Sequence, residues 1–122
     1  MASSREYIEL IDKFIELTQH NKISWEREIP APNSNLLATG NKINLVYSTE
    51  YKTHYIRAYK EAYKHFTDEN DFCWGYRLVL EFVDQSGNSL WRFPEINNIA
   101  ELLNAIKYKD ANVDNLLKEI LD

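Results

Sequence analysis

Tyr47, Tyr51, Tyr55, Tyr59 and Tyr63 recur at intervals of four residues, and no other feature so restricts what the middle of the chain can become. A period of four divides evenly into the two-residue repeat of a strand, where alternate side chains share a face. On a helix of 3.6 residues per turn it overshoots by about 40° at each step. Four steps spread the tyrosines over almost half the circumference. The stretch THYIRAYKEAYKHF, residues 53–66, therefore reads as a strand. Tyr51, Thr53, Tyr55, Arg57, Tyr59, Glu61 and Tyr63 share one face; His54, Ile56, Ala58, Lys60, Ala62 and Lys64 take the other. Its aromatic and β-branched content agrees, against the helix formers of KEAYK.

The flanking segments extend a sheet. YRLVLEFV, residues 76–83, sets Tyr76, Leu78, Leu80 and Phe82 against Arg77, Val79, Glu81 and Val83. Both faces are partly apolar, which predicts an inner strand covered on both sides. DQSGN, with Gly87 to supply a positive φ, predicts a hairpin to SLWRF, which Pro94 closes. The polar turn TDENDF precedes this pair. Upstream, KISWEREI alternates Ile23, Trp25, Arg27 and Ile29 with Lys22, Ser24, Glu26 and Glu28, a half-buried strand ended by Pro30 and Pro32. APNSNLLATGN reads as a loop packed through Leu36 and Leu37, and KINLVYS as a second strand.

Both ends read as helical. Ser3 and Glu6 have capping-box spacing, followed by the stripe Tyr7, Leu10, Ile11, Phe14, Leu17 and Thr18, with Asn21 as a stop. Asn98 and Glu101 repeat that spacing before Ile99, Leu102, Leu103 and Ile106. A second short helix carries Val113, Leu116, Leu117, Ile120 and Leu121, apolar enough to need a partner surface. The fold class expected is α+β, with an N-terminal helix, an antiparallel sheet of about five strands and two short C-terminal helices packed on one sheet face. At 122 residues and 44% apolar, the chain is expected to form a single domain over 1–122.

The helix-to-strand step TQHNKISW, Thr18 to Trp25, has the form T-x-x-(G/N)-K-I-x-W, YRLVLEFVDQSG follows the form Y-x-L-x-(I/F)-x-D-x-x-G with two additional residues before Phe82, and IAELLNAIKYK loosely follows L-x-x-L-x-x-A-(I/V). In these motifs the chain resembles a family of small uncharacterised prokaryotic α+β domains. The resemblance implies the fold and no activity.

The sequence excludes more chemistry than it offers. With Cys73 alone, no intramolecular disulfide can form, which suits a reducing compartment. MASSREYIEL has no apolar run of signal-peptide type, and no stretch approaches the ~20 apolar residues of a membrane span. A cytoplasmic location without membrane contact is the expectation. His20, His54, His65 and Cys73 make no short paired ligand motif, and Gly40 and Gly87 are isolated, so neither metal nor phosphate cradle is indicated. A thiolate and base pair of Cys73 with His54 or His65 would be needed for nucleophilic chemistry; neighbouring Phe72 and Trp74 argue instead for a buried structural thiol. Asp68, Glu69 and Asp71 lie in a turn with Asn70, where hydration is their ordinary role. No cofactor is called for.

What remains is surface. The strip Lys52 to His65 interleaves rings with Lys and Arg, as single-strand nucleic-acid binders do. A formal net charge of −5 and Glu50 and Glu61 nearby weigh against phosphate binding. Aromatic and arginine residues also concentrate at the centres of protein interfaces. The expectation is a non-enzymatic protein-interaction module, chaperone-like or immunity-like, with an unidentified protein partner or a second copy of itself. Trp25, Tyr55, Arg57, Tyr59 and Trp91 form its proposed interaction surface. A small nucleic-acid-associated regulator is the alternative, and an unrecognised small enzyme the third.

Overall fold

The computed structural model describes residues 3–31, 37 and 40–122. Its elements run in the expected α+β order: a helix, a five-stranded antiparallel sheet, and two helices. They divide into two compact units, one of residues 1–25 and 96–122 and one of residues 26–95.

In the helical unit, α1 spans Ser4–Gln19, α2 Asn98–Asp110 and α3 Val113–Leu121. The capping box at the start of α1 is complete: Ser3 Oγ accepts from the Glu6 amide at 3.3 Å, and Glu6 Oε1 accepts from the Ser3 amide at 3.2 Å. Ile11, Phe14, Leu17 and Thr18 are buried along it. The helix ends because Asn21 turns left-handed at φ 60°, so the Lys22 amide reaches the Leu17 carbonyl at 2.8 Å and the Asn21 amide the Thr18 carbonyl at 3.2 Å. These two bonds satisfy carbonyls the helix leaves open, and Asn accepts the left-handed turn at low cost. α2 packs against α1 and buries Ile99, Leu102, Leu103 and Ile106. Its expected capping box does not form. Asn97 occupies the cap without a side-chain bond, and Asn98 is buried instead. The Asn98 Nδ2 donates to the Ile8 carbonyl at 3.1 Å and to Asp12 Oδ1 at 3.0 Å, so the asparagine ties α2 to α1.

In the sheet unit, β1 is Glu26–Glu28, β2 Val46–Tyr51, β3 His54–Phe66, β4 Phe72–Val83 and β5 Ser89–Arg92, paired in chain order. KISWEREI yields only the three residues of β1, since Lys22 and Ile23 finish the α1 cap and Trp25 turns inward. KINLVYS contributes an isolated bridge between Lys42 and Ala62 before β2 begins at Val46. Most of APNSNLLATGN, Leu36 included, lies outside the described residues; Leu37 packs on Ile43, Val46, Tyr59 and Val79.

The tyrosine series is broken by a turn that no turn-forming residue announces. Lys52 and Thr53, at φ 49° and 70°, form a two-residue hairpin turn between Tyr51 and His54. Both central residues at positive φ is the geometry that usually selects Asn-Gly, because it matches the right-handed twist of the strands. A β-branched threonine there is strained. Tyr47 pairs with Ala58 and Tyr51 with His54, which puts these two tyrosines on the sheet face opposite Tyr55, Tyr59 and Tyr63. β3 pairs with β4 over its whole length, from Tyr55 opposite Val83 to Phe66 opposite Phe72. β4 is an inner strand, as its two partly apolar faces imply, and β3 is the middle one.

Candidate functional site

Alternation along β3 and β4 places Arg57, Tyr59 and Glu61 on one face, beside Glu81, Val79 and Arg77 of the next strand. Arg57 stands opposite Glu81, and Glu61 opposite Arg77. A register shift between Phe82 and Val83 lets β5 bring Arg92 opposite Glu81 while Ser89 stands opposite Val83. Such bulges re-aim side chains at sheet edges. Here, both Ser89 and Arg92 reach the same carboxylate.

Glu81 is the hub and is fully buried. Its Oε1 accepts from Arg57 Nε at 2.8 Å, from Arg57 Nη2, and from the Tyr59 hydroxyl at 3.0 Å; its Oε2 accepts from Ser89 Oγ at 2.8 Å. Arg57 completes its set by donating Nη1 to the Gly87 carbonyl at 2.9 Å. A buried carboxylate survives only when paired and hydrogen-bonded, and this one has donors on both oxygens. Beyond it, Arg92 Nη2 donates to the Tyr59 hydroxyl at 3.1 Å, and Arg77 Nε donates to Glu61 Oε1 at 2.6 Å. Burial first, and the Glu81 charge next, hold the Tyr59 phenol well above the usual tyrosine range. It remains a neutral donor at physiological pH.

The surface expected of Trp25, Tyr55, Arg57, Tyr59 and Trp91 is not one patch. Tyr59 is 1% exposed and Arg57 9%, both committed to Glu81, so neither can meet a partner as an exposed anchor. Tyr55 shares their face and is half-buried, whereas Trp91 pairs with Phe82 on the opposite face and is exposed. Trp25 belongs to the helical unit, where its Nε1 donates to Thr18 Oγ1 at 3.0 Å. Thr18 Oγ1 in turn donates to the Phe14 carbonyl at 2.7 Å, so Trp25 is anchored to the α1 backbone.

The basic and aromatic strip is likewise divided by the pleat. Lys60 and Lys64 lie on the face opposite Arg57 and stand over the rings of Tyr76 and Phe72 on β4, at 4.6 and 4.8 Å from their centroids. Lys42 covers Trp74 at 4.3 Å. These rings already hold the protein's own cations on a face that stacked bases would need.

Cys73 is exposed rather than buried among Phe72 and Trp74. Register sets it opposite His65, with His54 at the other end of β3. Among the described residues no group of three or more His, Cys, Asp or Glu side chains is arranged to hold a metal ion, and no helix is long and apolar enough to cross a membrane.

α3 carries several exposed large apolar side chains. None of its residues is buried, and Leu116, Leu117, Ile120 and Leu121 are 47%, 46%, 76% and 80% exposed. The helix starts after Asn112 in the left-handed conformation, and Asp114 fixes the corner by accepting from the Tyr108 hydroxyl at 2.6 Å with Lys109 Nζ at 4.0 Å. No protein family, curated protein or solved structure was found to match this chain.

Proposed function

We propose that the chain is a non-enzymatic, cytoplasmic protein-interaction module that docks α3 into an apolar groove of a protein partner. The observation that carries this reading is the unburied apolar face of α3, Val113, Leu116, Leu117, Ile120 and Leu121. Their spacing of three and four residues is the anchor pattern of helix-in-groove recognition. Exposed leucine and isoleucine singly need no explanation, but four on one short helix leave a contiguous apolar face in water.

A groove suits this helix better than a second copy of it. Nine residues make a helix roughly 13 Å long at 1.5 Å per residue. Two such helices crossing would bury far less than the roughly 1,200 Å² of a specific interface, whereas a groove wraps the helix on three sides. Asp114 and Glu119 border the apolar face on its two sides, which suits a groove rimmed with basic residues.

Leu117→Asp and Ile120→Asp test the reading. Both side chains are exposed, so stability should change by no more than about 0.5 kcal/mol while partner binding is lost. Binding unaffected by both substitutions would refute it. So would a concentration-dependent mass in which the only partner is the chain itself.

A further inference from the structure

The arginine and glutamate cluster borders a cavity of about 240 Å³ in the sheet unit, lined by Arg77, Arg92, Glu61, Tyr59 and Ser89 among others. Its three guanidinium groups, Arg57, Arg77 and Arg92, face two carboxylates, Glu61 and Glu81. One positive charge is in excess there, in a chain of formal net charge −5. Arg57 spends its Nε, Nη1 and Nη2 on Glu81 and Gly87. The other two do not. Arg77 donates Nε to Glu61, and among the described residues its Nη1 and Nη2 hydrogen-bond to nothing. Arg92 donates Nη2 to Tyr59, while its Nε and Nη1 stand 3.8 and 3.7 Å from carboxylate oxygens, outside hydrogen-bond range. At 35% and 44% side-chain exposure both remain open to solvent.

We propose that this cavity binds an oxyanion, the carboxylate or phosphate group of a small molecule, between the guanidinium groups of Arg77 and Arg92. Guanidinium forks match both groups with paired N–H donors, and such charge-assisted bonds are about twice as strong as neutral ones. The donors are held in place before any ligand arrives. Arg77 stacks 4.6 Å over the Tyr63 ring, and Glu61, Tyr59 and Glu81 behind the pair are 4%, 1% and 0% exposed. Rigid support of this kind lowers the ordering cost of binding. The cavity is smaller than the roughly 300 Å³ lower bound of drug-sized sites, so the ligand has few heavy atoms.

Titration with inorganic phosphate, and separately with acetate, at ionic strength held constant with chloride, tests the site through the arginine Nε–Hε resonances. A saturable shift of the Arg77 and Arg92 signals, with Kd on the order of 1 mM or tighter, is expected for at least one of the two anions. Response to phosphate alone assigns a phosphoryl ligand, to acetate alone a carboxylate ligand, and to both an oxyanion site without preference; each supports the proposal. Arg92→Gln should weaken binding at least about tenfold. If that variant does not fold, the wild-type titration decides alone. The proposal is overturned if neither anion produces a saturable shift, if chloride reproduces it, or if the shifts fall on Arg5 and Arg27 rather than on Arg77 and Arg92.

Discussion

Removing the Arg57 side chain while leaving Glu81 in place should be among the most damaging single changes in the sheet. Arg57→Met takes away both guanidinium donors from Glu81 Oε1, and a carboxylate at 0% exposure is left with the neutral hydroxyls of Tyr59 and Ser89. Breaking a buried ion pair from one side costs about 3–5 kcal/mol. Arg92, whose Nε stands 3.8 Å from Glu81 Oε2, can move toward the orphaned charge and hold the cost near the lower figure. A chain of 122 residues has a total stability of roughly 6–18 kcal/mol at about 0.05–0.15 kcal/mol per residue, so the loss is a large share of it. Urea unfolding at neutral pH measures it as a lowered midpoint with an unchanged slope. The double variant Arg57→Met with Glu81→Leu removes both charges and fills the space with apolar atoms. It should lie within about 2 kcal/mol of wild type, above either single variant. A single-variant cost below about 1 kcal/mol, or two costs that simply add, would show that the pair is not the buried, interdependent unit described.

Other perturbations read other parts of the structure. Lys52→Asn with Thr53→Gly relieves two left-handed residues in the β2–β3 turn and should raise stability by about 1–2 kcal/mol; no gain would mean the turn carries no strain. The Tyr59 phenol is raised from its ordinary 10.0 chiefly by burial, so the folded state keeps this proton after the unfolded chain has lost it. Its contribution is full below about pH 10 and declines as pH rises further. That alkaline decline should be shallower in Tyr59→Phe than in wild type, and parallel stability curves would contradict the assignment. A Cβ at Gly75 would sit 2.6 Å from Tyr63 Cζ, so Gly75→Ala must displace the ring on which Arg77 stacks and should cost about 1–3 kcal/mol. The same substitution in a Tyr63→Ser background should cost markedly less, which unfolding of the four chains would test.

The fold was legible wherever pattern and local chemistry agreed. Ser3 and Glu6, Asn21, the 3.6-residue stripes of α1 and α2, and the alternation of residues 76–83 each name one structure, and each forms it. The turn at Lys52 and Thr53 was illegible because neither residue is a turn former; the pairing of β2 with β3 on both sides imposes the geometry on them. Asn98 deceived for a related reason, since the spacing to Glu101 was right and a buried bond to Asp12 took the side chain elsewhere. The strand reading did place Tyr55, Arg57 and Tyr59 on one face. It could not show that the face closes over Glu81, because that depends on which strand lies alongside and in which register. The arrival of Ser89 and Arg92 at the same carboxylate rests on a one-residue bulge that no periodicity records. The apolar excess of residues 113–121 was plain in the sequence, and the structure adds that none of it is buried.

A photo-crosslinking side chain placed at Leu121, 80% exposed at the end of α3, tests the docking role most directly when it is activated in the cells that make the protein. The expected result is one dominant adduct to a different protein, abolished by Ile120→Asp and retained in Arg92→Gln. No adduct, an adduct only to the chain itself, or one indifferent to Ile120→Asp would contradict α3 as the docking element.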